Sequence, residues 1–523
     1  MPFLQHLQRF LQNKKSPILL LLTVNLIIGL LTFQDYGFSL DEPLFYSYAD
    51  AIGYAYSPAE WFSGEFDLIN AYGASASDHA NRGPAYLLIA RLPAHLLQSM
   101  GLDVASSWHL VNFLAFQVGL YFFYIFCLRW MRSWAAFGAT AFMSTQPILW
   151  EHAFINPKDP SFLVFFLITL ELGFRMAERL ADPQPGETKL QTLIQILLPA
   201  ILLGLTTNIR VLGPLTAALA GLYFLTLRKP ARIWWFIPYG LIAYAVMVIT
   251  WPDLWEAPIM NFYWTIRFMS ANPTTLQVYF YGDLYPADAL PLRYLPTLML
   301  ITLTEPVWPL ASLGLVIAAI RAFRKSIHWQ SLLPALGWFA IPFIYVLLRR
   351  PPMYDGFRHF LFIVPPLFVL GGIALDAAFN WLRRPWLQAA LVLALLLPGI
   401  IPDIRLHPYQ YTYYNQFVGG TGKAAQRFET DYWLTCYKEA VERLEPFATE
   451  PINLFVKREF YIASYYAPEN IRVLDYKRKL VHAGDYVLNH SRANPGLQRF
   501  KDINPFFLRV ERDGAVFCEI QEY

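Results

Sequence analysis

The feature that most constrains this chain is a series of apolar runs along its first four hundred positions, each of about 17 or more residues and so long enough to cross a hydrocarbon core about 30 Å thick. Eleven crossings are expected, at 17–33, 108–130, 134–150, 160–176, 190–207, 211–227, 233–251, 305–320, 332–348, 360–375 and 386–401. With 56% apolar and 15% charged residues the chain is not a string of soluble domains, and it is neither disordered nor a disulfide scaffold. The fold expected is a polytopic α-helical membrane protein with a small α+β extracytoplasmic domain at its C-terminal end.

Charge in the connections tests the count. With a cytoplasmic N-terminus, the inner loops hold Arg9, Lys14 and Lys15; Arg129 and Arg132; Arg175, Arg179 and Lys189; Arg228, Lys229 and Arg232; Arg321, Arg324 and Lys325; Arg383 and Arg384. Every inner loop is basic, and an odd number of spans leaves the C-terminal region outside. The first run has no small-x-small cleavage site and is expected to stay as a span. Pro84–Leu97 carries Arg91 and His95 and is too short to cross, so it is expected at the interface; Pro291–Thr304 is a second such helix, cut off by Pro296, Pro306 and Pro309.

This division gives a membrane domain over 1–402, with a large first outer loop at 34–107, and a soluble domain over 403–523. The other outer segments are Glu151–Asp159, Pro252–Arg293 and Arg349–His359. In the tail, Leu434, Tyr437, Val441 and Leu444 mark one face of a helix over Trp433–Leu444. Asn453–Phe460, Ile471–Asp475 and Asp485–Asn489 read as strands, and Asp513-Gly514 as a hairpin turn within Phe507–Ile520. Cys127 reads as a buried hydrophobe, while Cys436 and Cys518 leave one disulfide open. A net charge of +3 with no continuous basic face makes nucleic acid an unexpected partner; membrane lipids are expected ones.

No P-loop, dinucleotide fingerprint, His-Glu-x-x-His or Cys-x-x-Cys occurs, so no cofactor is expected. An Asp-x-Asp is also missing, which argues against a metal-held nucleotide sugar, and no metal site is expected. Long outer loops beside minimal basic inner loops put the chemistry at the outer face. There, a group transfer that releases a phosphate needs a base for the acceptor hydroxyl and cations for the departing phosphate. Asp41 can supply the first. Arg82, Lys158, Arg210, Arg358 and His359 fall on the same side and can supply the second, and an arginine such as Arg210 at a span end should face a polar cavity or an anion.

Three motifs carry a resemblance. Asp41-Glu42-Pro43 follows the first span, Arg82-Gly83-Pro84-Ala85-Tyr86 opens the interfacial segment, and Asn156-Pro157-Lys158-Asp159-Pro160 opens the fourth span. Together they resemble the GT-C membrane glycosyltransferases, in particular the branch of protein O-mannosyltransferases and aminoarabinose lipid A transferases, and the bacterial glycosyltransferase family 39. The resemblance implies that Asp41 is the catalytic base, Glu42 its acidic neighbour, Asp159 a second acid and Arg82 a contact to the lipid phosphate. Arg82 stands where that family often has Lys, and Gly83 where it has Pro. It also implies an inverting transfer from a polyprenyl-phosphate-linked sugar to a lipid, glycan or protein acceptor.

Each residue has a plainer reading. Asp41 and Glu42 can be solvated loop carboxylates, Asp159 a helix-start charge beside Lys158, Arg358 and His359 headgroup anchors, and Arg210 the mark of a turn. A transporter or flippase for lipid-linked saccharides would use the same basic cavity, though it would favour inverted repeats, which are not visible.

Overall fold

The computed structural model describes residues 16–271, 274–499, 502 and 505–523. Arg9, Lys14 and Lys15 lie outside the described residues. The apolar runs become helices whose starts are set by local chemistry. After α1 (Ser16–Thr32) the chain forms α2 (Glu42–Ala51) and α3 (Ala85–Ser99). Next comes α4 (Val104–Cys127), begun by Asp103, whose carboxylate accepts the Ser106 amide at 3.0 Å. α5 (Ser133–Ser144) and α6 (Pro147–Ile155) precede α7 (Asp159–Ala181), and α8 (Lys189–Ile209) opens with a Thr188–Gln191 capping box. α9 (Pro214–Thr226), α10 (Phe236–Ile249) and α11 (Pro258–Ala271) lead to a hairpin of β1 (Gln277–Phe280) and β2 (Asp283–Pro286). α12 (Tyr294–Thr302), α13 (Val307–Phe323), α14 (Trp329–Arg349), α15 (Pro365–Trp381) and α16 (Pro385–Arg405) complete the bundle.

A helix covers each of the eleven expected crossings. Among the described residues six are long and apolar enough to cross a membrane singly, and a seventh if α12 and α13, bent by 102°, are counted as one. The rest are shorter: α1, α9, α15 and the pair α5–α6. That pair is broken because Pro147 holds Gln146 extended, and Gln146 fills the break by accepting the Thr304 amide at 3.0 Å. α7 packs against α4, α8 and α9, and α13 runs along α15. The protein is an integral membrane protein.

Residues of three of the expected basic loops pair with carboxylates on neighbouring helices. Arg129 and Arg175 meet Glu171 at 2.8 and 2.7 Å, while Arg132 and Arg321 meet Asp376 at 2.9 and 3.2 Å. The expectation of a polar loop over Glu151–Asp159 is corrected: Glu151 to Ile155 continue α6, and buried Glu151 accepts the Tyr411 amide at 2.7 Å.

Residues 407–435 form a strap woven into the helices. Asn415 donates to the carbonyls of Leu300 and Leu303 at 2.8 and 2.9 Å, and the Leu40 amide donates to Trp433 O at 3.0 Å. The helix expected from Trp433 begins later, as α17 (Tyr437–Leu444), because Leu434 has φ 62° and Asp431 gathers the amides of Thr435 and Cys436, both at 3.0 Å. Then follow β3 (Ile452–Val456), α18 (Phe460–Tyr466), β4 (Ile471–Asp475), β5 (Tyr486–His490), β6 (Leu508–Arg512) and β7 (Ala515–Glu522). The sheet order is β4-β3-β5-β7-β6, with β3 parallel to both β4 and β5 and β7 antiparallel to its neighbours. Asp513 and Gly514, at φ 49° and 82°, make the expected hairpin turn. Cys127, Cys436 and Cys518 are all buried free thiols.

Candidate active site

Asp41 begins α2 with Pro43 behind it, and its side chain makes no capping bond to its own helix. It is therefore available to Arg358, whose guanidinium lies 3.3 Å away. Asp41 keeps 23% of its side chain exposed, against 2% for Asp159 and 2% for Asp355. Glu42 points elsewhere: fully buried, it accepts the Ser39 amide at 2.6 Å and the Tyr46 hydroxyl, and faces His109 Nε2 at 3.0 Å. Those bonds absorb its lone pairs in holding the turn before α2.

Asp159 sits in the first turn of α7. Asn156 accepts the Lys158 and Asp159 amides at 3.0 and 2.9 Å and donates back to the Asp159 carboxylate at 2.9 Å. The same carboxylate pairs with Arg210, at the end of α8, and with Arg358 at 3.1 Å. Arg358 leads the short 3₁₀ turn before α15, lies over the Trp433 ring at 4.7 Å and pairs with Asp355 at 3.1 Å. Asp355 in turn meets Arg492 at 2.7 Å. Three carboxylates are thus answered by three arginines.

Two cations are left over. Among the described residues neither Arg82 nor Lys158 has a carboxylate within 4 Å; both lie over the face of Phe45, each at 5.6 Å from its centroid. Burial, and then the neighbouring Arg82 and Arg210, hold the Lys158 ammonium well below its usual range. Burial and Arg358 push His359 far down as well, so it is a neutral ring, edge-on to Tyr354 at 5.1 Å. Arg358 moves the other way: burial opposes its charge, but Asp41 and Asp355 outweigh it.

The structure thus brings together Asp41, Asp159, Arg82, Lys158, Arg210, Arg358 and His359, and sets Glu42 apart. The glycine in Arg82-Gly83-Pro84 has a local cause: a Cβ there would meet the Asn208 carbonyl oxygen at 2.0 Å, so a side chain has no room. Trp251 and Trp255 are tied to backbone carbonyls of Ala80 and Val248, each at 2.9 Å, and serve packing. Sequence reasoning gave no role to Asp355, Trp433, Arg492 or His79. The last is stacked on Phe45 at 5.2 Å and Tyr48 at 4.8 Å, with burial and Arg82 lowering it to about 4. Only Asp355, beside Gly356 and near Arg358, offered a local signal.

No protein-family model matches the chain, and no curated protein matches it. Among the solved structures that are similar to it are two from an archaeon. One is the archaeal oligosaccharyltransferase AglB from Archaeoglobus fulgidus in complex with an inhibitory peptide and a dolichol-phosphate, at 13% identity and TM-score 0.48, covering 87% of this chain and 63% of that one. The other is the Archaeoglobus fulgidus oligosaccharyltransferase complex with zinc and sulfate, at 12% identity and TM-score 0.43, covering 84% and 58%. The chain spans less than two thirds of the length of either.

Proposed function

We propose that the protein is an inverting glycosyltransferase of the GT-C class that moves a sugar from a polyprenyl-phosphate donor to an acceptor at the outer face of the membrane. The observation that carries this reading is the surplus of Arg82 and Lys158, two basic side chains without carboxylate partners among the described residues, beside the partly exposed Asp41. A phosphate seated on them leaves the sugar between its ester oxygen and a carboxylate that can take the proton of an acceptor hydroxyl on the opposite face.

In the reaction proposed, the acceptor hydroxyl oxygen forms a bond to the anomeric carbon from the face opposite the phosphate. The bond from that carbon to the phosphate oxygen breaks, and its electron pair leaves with polyprenyl phosphate. Asp41 takes the hydroxyl proton. Arg82 and Lys158 stabilise the charge that grows on the phosphate, and fixed cations are worth more in such a dry setting than in water. Arg358, braced by Asp159 and Asp355, holds Asp41 in place.

The test is release of polyprenyl phosphate from a polyprenyl-phosphate hexose by the purified protein, with lipid and glycan acceptors. Wild type is expected to release it and Asp41→Asn to bind the donor without turnover. Movement of intact donor across a vesicle bilayer with no cleavage would replace this reading with a flippase.

A further inference from the structure

Arg358 is held against Asp41 and Asp159, and two of the groups that hold it come from the far end of the chain. Trp433, on the strap, covers its guanidinium at 4.7 Å, and the Trp433 indole N–H donates to Asp355 Oδ2 at 3.1 Å. Arg492 lies in the turn after β5. Its Nη1 donates to the Tyr432 carbonyl at 2.7 Å and its Nη2 meets Asp355 Oδ1 at 2.7 Å, with only 3% of the side chain exposed. Asp355 is therefore shared: one oxygen faces Arg492, the other faces Arg358 and Trp433. The backbone is committed to this arrangement, since Asp355 adopts φ 56° and Gly356 φ 67° with the Tyr432 ring 3.5 Å from where a Cβ would stand.

We infer that Arg492 is a positioning residue for the proposed transfer: it occupies one oxygen of Asp355 so that Arg358 stays turned toward Asp41. The inference rests on the reading of Asp41 as the base. A buried carboxylate cannot be left half-paired without large cost. With Arg492 gone, both Asp355 oxygens compete for Arg358, the one arginine still beside them, and draw it away from Asp41. The β-sheet unit is then a working part of the active site and not an appendage.

The experiment compares donor KM and kcat for polyprenyl-phosphate hexose in the full-length protein, in one detergent, with folding checked by thermal unfolding. Arg492→Ala is expected to lower kcat about tenfold to a hundredfold with donor KM changed less than about threefold, the pattern of a misplaced reacting group. Arg492→Lys, which keeps the charge and guards against a folding defect, recovers part of the loss. The double variant Arg492→Ala/Asp355→Asn recovers activity over Arg492→Ala, because the amide no longer pulls Arg358. Arg405→Ala serves as the control: Arg405 also ties a span end to the sheet unit, through Asp513 at 2.6 Å, but at an exposed contact, and is expected to match wild type. Unchanged kcat in Arg492→Ala, an equal loss in Arg405→Ala, or no recovery in the double variant would each overturn the inference. Turnover by Asp41→Asn would instead overturn the function on which it rests.

Discussion

Arg82 shares the Phe45 ring with Lys158 and, among the described residues, has no carboxylate partner, whereas Arg210 and Arg358 are already committed to carboxylates. Arg82→Ala is therefore expected to weaken binding of the polyprenyl-phosphate donor about tenfold to a hundredfold, the range of a charge-assisted bond worth about 1.5–3 kcal/mol, measured by titration at fixed salt. Arg82→Lys should recover part of this, since a lysine brings the charge without the two-pronged guanidinium. Loss of binding in Lys158→Ala alone would move the phosphate toward α7. Much of this cluster is legible in the sequence because Asp41, Arg82 and Asp159 sit in short local motifs that fix residue type and spacing. Arg492 and Trp433 are not, since no local pattern says that a turn after one strand will reach a carboxylate beside a distant helix.

Helices were legible wherever one apolar run fills one span, as in α4, α7, α8 and α16. They were misread where a proline divides a run, as at Pro147, since hydropathy does not register a backbone break. Close packing was also invisible. A Cβ at Gly314 would meet the Leu370 carbonyl oxygen at 1.9 Å, so α13 and α15 touch backbone to backbone. Gly314→Ala is expected to destabilise by about 1–3 kcal/mol, because backbone cannot rotate out of the way. Gly240 in α10 has nothing within 4 Å of a built Cβ, and Gly240→Ala should be neutral or stabilising by up to about 1 kcal/mol. Thermal unfolding of the pair in the same detergent checks both, and equal shifts would refute the packing argument.

Across the whole molecule, the orientation proposed puts the basic loops inside and the Asp41 cluster with the strap outside. A reporter active only in the cytoplasm, fused after Tyr523, is expected to stay silent; strong activity would invert the orientation proposed for the transfer. The junction of strap and sheet also carries a pH signature. Glu429 is pushed up to about 8 by burial, with Arg492 opposing and Asp355 adding. The folded protein then keeps a proton that the unfolded chain releases near pH 4.5, so stability falls as pH rises through the window from about 4.5 to about 8. Glu429→Gln removes that loss, and its melting advantage over wild type should be small near pH 5 and grow toward pH 8, roughly the two edges of the window. A constant gap would show that Glu429 is charged in the fold.

The shared carboxylate of Asp355 also sets a clock. Trp433 and Arg492 are made 392 and 451 residues after Asp41, so at bacterial or eukaryotic elongation rates the two halves of the cluster are separated by on the order of a minute. Through that interval the growing chain already has its membrane helices but lacks the Trp433 and Arg492 contacts around Asp355 and Arg358. On the function proposed above, a truncated or stalled polypeptide embedded in the bilayer would thus stay idle until the turn after β5 had been made and seated on Asp355.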